Sequence, residues 1–126
     1  MTGKRDTILL TIPADSRFRG VATLVLSGIG SRFDVPYERM DDLQLALLSV
    51  LETCDGGETL SLEVEAGDQL VAVSVGPLRN GSSADPAFTR VLAGLVDSVE
   101  PMNRDGQEWV TLRLSRAESV DASSAG

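Results

Sequence analysis

Apolar and polar positions follow two rhythms along the chain, and the switches between them mark out its elements. Residues 7–12 (TILLTI) put Ile8, Leu10 and Ile12 on one face of a predicted strand, closed by Pro13. Phe18, Val21, Leu24, Val25, Gly28, Ile29 and Phe33 then fall at helical spacing. Asp15 or Ser16 is placed to cap that helix, and Asp34-Val35-Pro36 breaks it. A second helix is expected over about residues 36–53, with Pro36 in its first turn and a buried stripe of Met40, Leu43, Leu47, Val50, Leu51 and Cys54. Its opening acids, Glu38, Asp41 and Asp42, suit the positive end of the helix dipole, and Asp55-Gly56-Gly57 ends it.

Strict alternation follows. Residues 58–66 turn Leu60, Leu62 and Val64 inward, Gly67-Asp68 makes a turn, and residues 69–75 return as the second strand of a hairpin. Residues 76–86 are a loop rich in Gly, Pro and Ser. Residues 87–99 resume helical spacing through Phe88, Val91, Leu92, Leu95, Val96 and Val99. A last hairpin pairs residues 100–103 with 108–116 around Arg104-Asp105-Gly106, with Val110, Leu112 and Leu114 facing one way. The order β-α-α-β-β-loop-α-β-β predicts an α+β two-layer sandwich, a mostly antiparallel sheet with three helices on one face. One domain is expected over residues 7–116, between a flexible start (1–6) and a small, polar, flexible tail (117–126).

Composition narrows the chemistry. Of 126 residues, 42% are hydrophobic, which a single core can bury; 11 Lys+Arg against 19 Asp+Glu give a net charge of −8. With no histidine, a His base, a Ser-His-Asp triad and a His-ligated metal are excluded. One cysteine makes no internal disulfide, and an acidic chain is a poor match for phosphate backbones. No apolar run is long enough for a membrane span and no signal peptide is visible, so a soluble cytoplasmic protein is expected, without direct nucleic-acid or membrane contact.

Local constellations carry little chemistry. Glu38, Asp41 and Asp42 read as dipole partners rather than a metal site. Gly28-Ile29-Gly30 lacks the preceding strand of a phosphate loop and reads as close helix packing, and Cys54 as inert packing. Asn80-Gly81-Ser82 matches a glycosylation sequon but reads as a turn. Arg17 and Arg19, flanking Phe18, are candidate partner contacts on an otherwise acidic protein.

The whole-segment arrangement says more. Phe18 with Gly20-Val21, Leu26-Ser27-Gly28, Ser31-Arg32, Tyr37-Glu38, Asp42-Leu43 and Ala46 come in order, followed by the hairpin and the loop. Leu95-Val96-Asp97-Ser98-Val99-Glu100 and the closing Val110-Thr111-Leu112-Arg113-Leu114 complete the series. Together, over about residues 7–116, these segments resemble the anti-sigma factor serine-protein kinases, the RsbW-like branch of the GHKL ATPase superfamily. The resemblance implies a Bergerat-type fold and a nucleotide cleft. In that family the second helix carries a Glu general base and, four residues on, an Asn that ligates Mg²⁺; here those positions hold Ser49 and Thr53. The family's adenine-reading Asp falls on Val75 or Gly76, and its Gly-x-Gly lid end on Ala84-Asp85-Pro86-Ala87-Phe88.

These departures lead to the expectation of a non-catalytic protein that has lost ATP and Mg²⁺ binding, with no catalytic, cofactor or metal residues. By resemblance its partners are a sigma factor or a STAS-type anti-anti-sigma protein, with a homodimer possible. The partner-contact candidates are Asp15, Arg17, Arg19, Arg79 and Asn80. Two alternatives stay open. One is an active, divergent ATP-dependent serine-protein kinase using Glu52 or Glu58 as base; the other is a small-ligand sensor with Ser49, Thr53, Ser74 and Val75 lining the vacated cleft.

Overall fold

A computed structural model describes residues 6–33, 35–53, 59–67, 69–79 and 81–115. Expectations for Asp34, Cys54, Asp55-Gly56-Gly57, Glu58, Asp68, Asn80, the first five residues and the tail lie outside the described residues.

Strand β1 (Asp6–Pro13) leads through a 3-10 turn (Ser16–Phe18) into helix α1 (Arg19–Arg32) and helix α2 (Tyr37–Leu51). β2 (Thr59–Ala66) and β3 (Leu70–Gly76) form the hairpin; a second 3-10 turn (Ser82–Ala84) precedes α3 (Pro86–Ala93). β4 (Ser98–Arg104) and β5 (Gln107–Ser115) close the chain. The five strands lie in the order β1-β2-β3-β5-β4, and every pairing is antiparallel.

The register explains why one face is core. Ile8, Val64, Val73, Leu112 and Val99 lie in one row across all five strands, and Leu10, Leu62, Val75 and Val110 in the next. Against these rows pack Ala22, Leu26 and Ile29 of α1, six residues of α2 from Met40 to Leu51, and Leu92 of α3. Burying each such Leu or Val is worth about 1.5–3 kcal/mol, which makes this layer the main source of stability. The two longer helices run antiparallel: Gln44 Nε2 donates to Ser27 Oγ at 2.6 Å, and Met40 lies against Gly30. That pairing sets the start of α1 at the same end of the molecule as the close of α2.

Three boundaries differ from the sequence reading. Asp15 caps the 3-10 turn rather than α1: its Oδ1 accepts from the Arg17 N–H at 2.9 Å, while α1 starts from Phe18 with no side-chain cap. Pro36 flanks α2 as its N-cap residue instead of entering its first turn. The third helix stops at Ala93 and does not reach Val99. Gly94 closes it, and Asp97 pins the turn by donating its N–H to the Arg113 carbonyl and accepting from the Ser115 N–H and Arg39 Nη2. Val99 is then paired with Leu112, so its inward position arises from strand alternation, not from a helical face. Pro101 is tolerated because β4 is an edge strand. The final hairpin turns on Asp105 (φ 54°) and Gly106 (φ 79°), the two left-handed residues of a tight primed turn.

Candidate functional site

The cleft expected from the sequence lies where α2 ends beside the end of β3. Ser49, at the family's base position, donates its hydroxyl to the Leu45 carbonyl at 3.1 Å, within its own helix. Thr53 lies beyond the last residue of α2, so the expected pair four residues apart on one helix face is broken by the end of the helix. The Thr53 hydroxyl donates to the Val50 carbonyl at 2.7 Å, and the Thr53 carbonyl accepts the Arg79 N–H at 2.8 Å. Glu52, the alternative base, is exposed at the helix C-cap.

The sheet register decides between the two adenine positions. Val75 faces inward and is fully buried in the core, paired with Val110 and Leu62. Gly76 faces the other side of the sheet, where the Trp109 ring lies directly over it and leaves no room for a Cβ. Ser74 also faces that side, its hydroxyl bonded to Thr111 Oγ1 at 2.8 Å. The ligand pocket imagined from Ser49, Thr53, Ser74 and Val75 is therefore not assembled, because Ser74 and Val75 point to opposite faces.

The loop after β3 runs past the end of α2, its Arg79 N–H bonded to the Thr53 carbonyl. Leu78, in an otherwise polar segment, is only 6% exposed and belongs to the core cluster. Its N–H donates to the Glu108 carbonyl at 2.8 Å, and the Gly81 N–H donates to Glu108 Oε2 at 2.6 Å. Ser82 Oγ donates to the Arg79 carbonyl, and Asp85 Oδ1 accepts the Ala87 N–H at the start of α3. In this arrangement the residues do not fit a Mg-nucleotide. Neither helix position offers a carboxylate or amide, and Val75 lies in the apolar core.

The partner-contact candidates fall into two groups at this same end. Asp15 and Arg17 form one exposed unit, with Arg17 Nη2 donating to Asp15 Oδ2 at 2.9 Å and the guanidinium against the Phe18 ring. The Arg17 side-chain hydrogen bond, then its backbone N–H, holds the Asp15 carboxyl below its ordinary range; the same pair raises Arg17. Arg19 begins α1 half-buried, whereas Arg79 is exposed on the loop that crosses the end of α2. Asn80 is outside the described residues. A separate groove of about 350 Å³ lies at the other end of α1, with Ile29, Phe33 and Ala66 in its lining and the Arg32–Asp6 ion pair beside them.

Residue patterns alone gave no hint of the group on the outer sheet face. Arg104 reaches from β4 to Glu63 on β2 with two hydrogen bonds, at 2.9 and 3.1 Å, and its guanidinium lies 4.3 Å from the Trp109 ring centre. The bond to Glu63 raises the Arg104 pKa further. The available signal was alternation: Glu63 sits between the inward-facing Leu62 and Val64.

The fold is a two-layer α+β domain, a five-stranded antiparallel sheet with three helices. No family model matches the chain. It is 30% identical over 105 residues to the serine-protein kinase RsbW of Halalkalibacterium halodurans, covering 77% of this chain and 62% of that relative. The crystal structure of the RsbU and RsbW domains of Rv1364c from Mycobacterium tuberculosis superimposes with a TM-score of 0.65 at 16% identity, over 86% of this chain and 31% of that one. The resemblance read from the sequence is matched by similarity in sequence to the first relative and in fold to the second, and the chain spans under two thirds of the length of either.

One expectation is corrected by this comparison. The chain was expected not to be an enzyme, yet the curated relative is a serine-protein kinase. Losing the expected side chains at Ser49, Thr53, Val75 and Gly76 describes local contacts and does not decide activity. Among the described residues, no helix is long and apolar enough to cross a membrane.

Proposed function

We propose that this chain is a regulator in a sigma-factor switch, acting by binding a sigma factor or a STAS-type antagonist of one. The observation that carries this reading is the similarity to RsbW, in sequence over most of the chain and in fold over nearly all of it. The surface fits such work: with a net charge of −8, the chain is attracted to basic faces, which speeds encounter with a basic partner. The Asp15–Arg17 unit, Arg19 and Arg79, at one end of the helical layer, are the contacts we assign to the partner. Self-association into a homodimer belongs to the same proposal.

A second reading, serine-protein kinase activity toward the STAS protein, is favoured by the relative's own activity. Mg-ATP is then a co-substrate, and the packing around Val75, Thr53 and Leu78 predicts weak binding of it in the arrangement described. The experiment is calorimetric titration of the purified chain with each sigma factor and STAS protein of its source, beside a phosphotransfer assay with Mg-ATP. A stoichiometric complex with one of them is the expected result. Absence of any complex would overturn the first reading, and phosphoserine on the STAS protein would establish the second.

A further inference from the structure

We infer that the β1 edge of the sheet, with the flank of α1 above it, is a two-fold interface for a second copy of this chain. It rests on the self-association proposed above and gives that association a place. The two edges of the sheet are unlike. β4 is guarded by Pro101, which offers no N–H to a further strand. β1 pairs with β2 residue for residue along its whole length, and among the described residues nothing pairs with its other side. From Thr7 to Ile12 it holds no charge, proline or glycine, and Leu9, on the outer face of the sheet, is 71% exposed.

The occupant is selected by self-complementarity, which a two-fold interface requires. Thr7-Ile8-Leu9-Leu10-Thr11 reads nearly the same in both directions from Leu9. An axis through Leu9, perpendicular to the sheet, sets Thr7 of one copy against Thr11 of the other, and Ile8 against Leu10. Paired residues then share a face, so the inward row of Ile8, Val64, Val73, Leu112 and Val99 runs on into Leu10 of the second copy. Above the strand, Val21, Val25, Gly28 and Arg32 lie on the flank of α1 that turns away from the α2 contacts of Ser27 and Gly30. That flank stands over β1, because Arg32 Nε donates to Asp6 Oδ2 at 3.1 Å. Val21 is 38% exposed, and a Cβ on Gly28 meets nothing within 4 Å. The same axis brings the two flanks together, antiparallel, over the joined strands. A strand of this length runs about 27 Å and the two layers are about 20 Å deep, so joining two such edges buries about 1,000 Å² in total. That is the lower bound for a specific interface, so the dimer is expected to be reversible and concentration-dependent.

The test follows the mass of the full-length chain by sedimentation velocity over about a hundredfold range of concentration. The parent is compared with Leu9→Lys, which places a charge from each copy at the axis, and Gly28→Glu, which charges the helix flank. Both positions are exposed, and circular dichroism checks that each variant keeps the fold. The parent is expected to pass from monomer to dimer, and each variant to associate at least about tenfold more weakly. Leu9→Cys, in a chain that also carries Cys54→Ala, is expected to give a disulfide-linked dimer on mild oxidation. A parent dimer that both variants leave intact and Leu9→Cys does not cross-link would overturn this interface while leaving self-association standing. A parent that stays monomeric throughout would overturn both, as it would if the chain's own terminal residues or another protein cover the edge. Binding of a sigma factor or STAS protein does not enter these measurements.

Discussion

Gly30 and Gly76 are both crowded, but a methyl group at each meets a different neighbour. At Gly30 it approaches the Met40 Cε to 2.5 Å, the free end of an unbranched side chain that can swing aside. At Gly76 it runs into the indole of Trp109, a rigid ring that also lies against the Arg104 guanidinium. Gly30→Ala is therefore expected to change stability by less than about 1 kcal/mol, because the helix gains what Met40 gives up. Gly76→Ala is expected to cost about 1–3 kcal/mol, as overpacking does. Urea unfolding followed by circular dichroism separates the two. Asp15 makes a pH prediction. Its carboxyl titrates lower when folded, so its contribution is complete above the ordinary carboxylate range and is lost as pH falls through the lowered value. Thermal melts of parent and Asp15→Asn should differ near neutral pH and converge in acid; equal differences at both pH values would refute the assignment.

Elements whose rhythm is pure were legible from sequence, and those that mix rhythms were not. β2 and β3 follow strict alternation, and their inward faces are those expected. The α3–β4 boundary was misread because Leu95, Val96 and Val99 satisfy helical spacing while Val99 also satisfies strand pairing. Asp97, which decides between them through long-range bonds to Ser115 and Arg39, leaves no local mark. The candidate site was legible only as positions. That Val75 rather than Gly76 faces the core follows from register, and the burial of Leu78 in a polar loop depends on contacts far apart in sequence. The Arg104–Glu63 bridge belongs to this scale, because it links β4 to β2 across the two strands between them. With side chains 30% and 37% exposed, solvent screens the pair. A double-mutant cycle of Arg104→Lys and Glu63→Gln should give a coupling of about 0.5–1 kcal/mol, the lysine being unable to form the two-pronged contact.

On the scale of the whole molecule, charge and chain relationships set the behaviour. Nineteen acidic residues against eleven basic ones make long-range attraction to a basic partner sensitive to salt. The association rate with the cognate partner is expected to fall by about tenfold between low and high ionic strength while dissociation changes little. Stopped-flow mixing at several salt concentrations measures this, and a flat profile would assign recognition to apolar contacts instead. The correction about catalysis belongs here too. Missing side chains at Ser49 and Thr53 do not establish missing activity, because the relative is a serine-protein kinase.

Trp109 is the chain's sole indole, and its place gives the protein a built-in optical reporter. The ring lies between the Gly76 backbone and the Arg104 guanidinium, one residue from the Glu108 that holds Gly81. Any rearrangement of that corner changes the polarity and the charge felt by the excited ring. Its emission wavelength and lifetime therefore follow events at the junction of β3 and β5 without a label, and titrations of unmodified protein can be read in the ultraviolet.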